Sequence, residues 1–186
     1  GRCARVGVVG SPQTLSEADR RTVALWAADC AERVLPLFEA EAPSDGRPAD
    51  AIARARAFGR GELDAAGQIR QRFVAGRAAS AVASSAAVAA ARSAAQASGV
   101  AHMGAHALGA AAYAAKAAGL SAGNDSAIDA EISWQLDHMT EPVRAALRQL
   151  PPLGEDPAGP LGAGLLASGI LGSIIRKLQA GLAAPD

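Results

Sequence analysis

Two of the three histidines in this 186-residue chain stand four residues apart, as His102 and His106. On a helix that spacing stacks both imidazoles on one face, where they could share a metal ion or a single substrate. A zinc-protease motif would also need Glu directly after the first His. That place holds Met103, so the proteolytic version fails. A third ligand would have to come from Asp137 or His138, which with His102 and His106 form the set of candidate catalytic residues. Two other readings stay open: the histidines bond partners between helices, or they offer polar contacts in a pocket for an organic ligand, with Gly109 and Tyr113 continuing the same face.

Other chemistry is thinner. Cys30 has Asp29 and Glu32 near it, yet it shares an apolar stripe with Trp26 and Val34, which predicts a buried small hydrophobe rather than a nucleophile. Arg47, Arg54, Arg56 and Arg60 form a basic cluster, and Arg56 and Arg60 are spaced to clamp a carboxylate or phosphate. Pairing with Glu32 and Glu39 is the alternative. Trp134, Asp137 and His138 lie at i, i+3 and i+4. Neighbours in a helix bond poorly to one another, so Asp137 is badly placed to orient His138 as a base. Trp26, Arg56, Tyr113 and Trp134 are the candidate ligand-binding residues. No Gly-rich phosphate loop, CxxC pair or G-x-S-x-G elbow occurs, and no cofactor is expected.

The elements that must position these residues all read as helices. Thr14-Leu15-Ser16-Glu17 is a capping-box spacing that starts a first helix near Ser16. Val23, Trp26, Cys30, Val34 and Leu37 give it one apolar stripe, and Pro36 predicts a kink. Pro48 opens a short helix to about Phe58. A long helix is expected over residues 65–98, with Gly76 as its weak point. A further one runs over residues 100–118, and it carries both histidines. Asn124-Asp125-Ser126 caps the next helix, with Pro142 starting its last turn. Leu166, Ile170, Ile174 and Leu178 mark a terminal one. No period-2 alternation of strand length occurs. The fold class is therefore all-α, a single compact bundle of about six Ala-rich helices. Residues 1–13 read as a flexible tail, 14–150 as the bundle, 151–160 as a Pro/Gly-rich connection, and 161–186 as a C-terminal helix packed on the bundle. With aromatics at only 3%, Trp26, Phe38, Phe58, Phe73, Tyr113 and Trp134 are expected to mark a core or a pocket.

Charge and cysteine usage narrow the setting. Lys plus Arg equals Asp plus Glu at 18 each, so no summed field steers the chain to nucleic acid or an anionic membrane. The apolar stretch Leu161–Ile175 is closed by Arg176 and Lys177, short of the roughly 20 residues a membrane span needs. Cys3 in the leader and Cys30 in the stripe are no disulfide framework, which suggests a reducing, cytoplasmic location.

The order Trp26, Cys30-Ala31, Val34-Leu35, Phe38-Glu39, Arg47-Pro48, Ala51-Ile52, Arg56-Ala57-Phe58 and Gly61-Glu62 continues with Ala101-His102-Met103-Gly104-Ala105-His106-Ala107 and Ala111-Ala112-Tyr113-Ala114. Over roughly residues 15–150 it resembles the bacterial Imm-5-like immunity proteins. The resemblance implies an all-α bundle that neutralises a partner by binding it, without catalysis. The expected partner is then a protein toxin. The alternative is a small helical enzyme or ligand-binding protein of bacterial specialised metabolism, holding a small organic molecule in a pocket around His102 and His106. Either is compatible with a homo-oligomer.

Overall fold

The first helix starts where a hydroxyl can close it: Ser16 accepts a bond from the Asp19 amide, and α1 runs Glu17–Glu32. The structure is a computed structural model and describes residues 10–184. Among them lie nine α-helices, two short 3₁₀ turns and no strand. After α1 come α2 (Leu35–Glu39), α3 (Arg47–Gly59), α4 (Ile69–Ala78), α5 (Ser85–Gly99), α6 (His106–Ala122), α7 (Ser126–Asp137), α8 (Glu141–Leu147) and α9 (Gly169–Ala183).

Three of the six expected helical segments divide. Pro36 sits in the first turn of α2, where its missing amide costs nothing, so the chain breaks before it rather than kinking through it. Thr140 caps α8 through the Val143 amide, separating it from α7. The expected helix over 65–98 breaks well past Gly76. Val82 is extended, and Ser84 starts α5 by accepting from the Ala87 amide. The Glu41 carboxylate, from the segment after α2, takes the Ala83 and Ser84 amides and the Ser84 hydroxyl. A carboxylate from a distant segment therefore holds the break open.

The Ala-rich pair α5 and α6 forms the centre. Every residue from His106 to Ala115 is buried, and α5 packs against α1, α2, α3, α4 and α6. Methyl side chains let these axes approach closely but bury little area each. The larger side chains supply the rest: Phe38, Phe58, Leu108, Leu147, Leu161 and Ile174 are fully buried, each contributing about 1.5–3 kcal/mol of transfer free energy. Buried polar ties fix the register. Ser93 donates to the Ala110 carbonyl at 2.7 Å, Gln135 Nε2 to the Ala111 carbonyl at 2.9 Å, and Trp26 Nε1 to the Gln135 carbonyl at 2.9 Å.

Gln13, which the sequence puts at the end of a tail, is fully buried. Its amide side chain accepts from the Leu161 amide and donates to the Ala158 carbonyl, tying the start of the described chain to the Pro/Gly-rich connection. The α9 helix then packs on α6 and α7 through Leu171, Ile174, Ile175 and Leu178. Among the described residues no helix is long and apolar enough to cross a membrane.

Candidate functional site

The two histidines do not share a helical face. His102 lies in a turn, and α6 starts only at His106. The reason is a contact distant in sequence: the Gly104 and Ala105 amides donate to the Thr14 and Gln13 carbonyls at 2.9 and 3.0 Å. These bonds satisfy amides ahead of α6 and hold the preceding residues out of it. At its other end α6 outruns the expected stop at Gly119 and finishes at Gly123, whose φ of 73° is left-handed.

His106 is nevertheless the centre of a built network. Its Nε2 lies 3.1 Å from Arg72 Nη1 on α4, and its Nδ1 lies 2.8 Å from Gln96 Oε1 on α5. A guanidinium can only donate, so Nε2 carries the lone pair, and Nδ1–H donates to Gln96. Burial, then the positive charge of Arg72, push the His106 pKa down to about 4. It is a neutral imidazole whose basic nitrogen is already engaged. Such a group positions Arg72 and Gln96; it does not abstract protons. Gly109 makes room for the arrangement, because a Cβ there would press on the Gln96 amide and stand 3.2 Å from Leu166 Cδ1.

An open cleft of about 490 Å³ borders this network, lined by Arg72, Gln96, His102, His106, Tyr113 and Leu165 among others. His102 Nε2 is buried there without a hydrogen-bond partner. Burial, and the charges of Arg20 and Arg72, lower its pKa. His102 thus leaves one buried polar atom unpaired at a residue of the cleft wall, beside Arg72. No group of three metal-ligating side chains gathers anywhere among the described residues, and neither Asp137 nor His138 lines the cleft.

The remaining candidates fall elsewhere. Trp26 is inside the core. Arg56 is held by Asp29 at 2.8 Å and by Glu32, which ties α3 to α1. His138 Nε2 meets Asp29 at 3.1 Å, its ring stacked on Trp134 at 4.4 Å. Its carboxylate therefore comes from α1 and not from Asp137, which is exposed. Arg33 lies 4.0 Å over the Trp134 ring and pairs with Glu131. A hollow of about 380 Å³ is lined by Asp29, Glu32, Arg33, Trp134 and His138. That lining holds no hydroxyl or thiol for an Asp–His pair to activate. Cys30 is buried, and burial raises its thiol pKa, with the Asp29 and Glu131 charges adding to the effect; it is packed as a small hydrophobe. Phe73 departs from the expectation for aromatics, being 51% exposed, with the Arg72 guanidinium 4.7 Å over its ring.

Sequence reasoning missed Arg72 and Gln96. A signal for Gln96 was present: it and Arg92 are the only long polar side chains in α5. Arg72 sits in a polar stretch that carries no such mark.

The fold and site together describe an all-α bundle with a cationic cleft beside a buried, neutral histidine. Residues 13–142 match the model of the family described as Imm-5 like putative immunity protein. The chain belongs to that family. No curated protein and no solved structure matches it.

Proposed function

We propose that this chain is an immunity protein that neutralises a protein toxin by binding it. The family match over residues 13–142 carries the reading. The site is in keeping with it: His106 is neutral with both nitrogens engaged, Cys30 is buried, and the polar groups are arranged for contact rather than for proton transfer. The test is co-expression with the product of the adjacent reading frame in a host which that product kills. Growth restored in proportion to the amount of this chain supports the reading. Growth arrest in the presence of the folded, expressed chain contradicts it.

A second reading has its own observation, the buried, partnerless Nε2 of His102, a residue that lines the cleft of about 490 Å³. A buried polar atom without a partner is costly, and a small organic ligand that reached it with a hydrogen bond would satisfy it. Replacing His102 and His106 by Ala should then abolish binding of any small molecule that co-purifies with the chain; retained binding sinks this version.

A further inference from the structure

The cleft beside His106 does not end at Tyr113. A second hollow, of about 330 Å³, shares Tyr113 and Leu165 with it and continues along α5 and α6 past Arg92 and Lys116. The two form one open groove, and helical spacing explains its cations. On α5, Val88, Arg92 and Gln96 recur at four-residue steps; on α6, His106, Tyr113 and Lys116 recur at seven and three. Each set therefore lies along one face of its helix.

The groove is electrostatically one-sided in a chain of zero formal charge. Arg72, Arg92 and Lys116 line it, and no Asp or Glu does. Some cations elsewhere are matched, Arg33 by Glu131, Arg56 by Asp29 and Glu32, and Lys177 by Asp129, while others, such as Arg20 and Arg144, donate to backbone carbonyls. No carboxylate stands within ion-pair distance of the three groove cations among the described residues. Glu41, which reaches the Ala83 end, is held by Ser84 and two backbone amides. The apolar part of the groove is also unsatisfied. Leu165, common to both hollows, is 63% exposed.

Resting on the toxin-binding reading, we infer that this groove is the docking surface for an acidic, leucine-bearing segment of the partner protein. The partner's carboxylates meet Arg72, Arg92 and Lys116, and its aliphatic side chains cover Leu165. Nucleic acid fits less well, because aliphatic side chains line the groove and its one aromatic, Tyr113, is buried, so no ring stands free for bases to stack on.

The test uses the full chain and a fluorescent peptide of Glu, Leu and Ser, with a Lys-for-Glu counterpart and an oligothymidylate as comparators. The acidic peptide should bind at low salt. Arg92→Glu with Lys116→Glu should weaken it about ten-fold or more, and added salt should weaken it too. Arg92→Gln with Lys116→Gln, which does not reverse the charges, should give a smaller loss and guards against misfolding. The inference is overturned by absent binding, by equal binding to the charge-reversed chain, or by oligothymidylate binding as tightly as the peptide. A toxin captured equally by wild type and the charge-reversed chain would leave sequestration standing and remove the groove as its site. Peptide binding by a chain that rescues no growth would do the opposite.

Discussion

Acidification from pH 7 to pH 5 should destabilise this protein through His106 by about 2 kcal/mol. The buried imidazole is held neutral by desolvation and by Arg72, with its pKa at about 4 against an ordinary value of 6.5. Its folded-state pKa is depressed, so the unfolded chain takes up a proton that the folded chain refuses. At pH 7 the folded His106 is neutral and the unfolded one mostly so, and little is lost. The loss begins as pH falls through the unfolded value and levels off below the folded one, at about 3 kcal/mol. Set against a typical total stability of about 5–15 kcal/mol, that is a large share. His106→Gln retains an amide that can accept from Arg72 but does not titrate, so urea unfolding of both proteins at pH 7 and pH 5 isolates the effect. Wild type should lose about 2 kcal/mol more than the variant over that interval. Parallel losses in the two proteins would refute the burial and charge reasoning for this site.

Three further outcomes are expected. Gly109→Ala should lower the urea midpoint, costing about 1–2 kcal/mol, because the new methyl presses on Gln96 and Leu166 by more than the gain in helix propensity offsets; a more stable variant would show that the close approach is not real. In a Cys3→Ser background, Cys30 should resist a disulfide-exchange reagent in the native protein and react fully in urea, since the thiol is buried with its pKa raised; rapid native reaction would contradict the packing. Glu131→Gln should cost about 1–2 kcal/mol in thermal or urea unfolding by leaving Arg33 without its carboxylate, and an unchanged transition would assign that pair no role.

Local rules found the helix starts that local groups make. The Thr14–Glu17 spacing placed the start of α1 near Ser16, although the hydroxyl that closes it is that of Ser16, on the Asp19 amide, and Pro48 announced α3 because a fixed φ acts within a few residues. What the sequence hid was made by distant contacts. The stretch around Ala78–Ser85 is Ala-rich and reads as helix throughout, yet Ser84 caps a new helix there and Glu41 arrives from another segment to bond the Ala83 and Ser84 amides. His102 and His106 have a one-turn spacing, yet the Gln13 and Thr14 carbonyls delay the helix and separate them. The same limit hid the site. Tyr113 was legible as a rare aromatic on an alanine face, whereas the link from Arg72 through His106 to Gln96 joins three helices and leaves no local pattern. Trp134 and His138 stack on one another, but the carboxylate that meets His138 comes from α1, where spacing along α7 gave no hint of it.

The most direct measurement of function is titration of the purified chain into the purified product of the adjacent reading frame, following complex formation and toxin action together. Sequestration predicts a stable complex of fixed stoichiometry, with toxin action falling in step with its formation and returning on dissociation. Loss of toxin action at far less than one equivalent of this chain, with the toxin chemically altered, would contradict it and make the protein an enzyme.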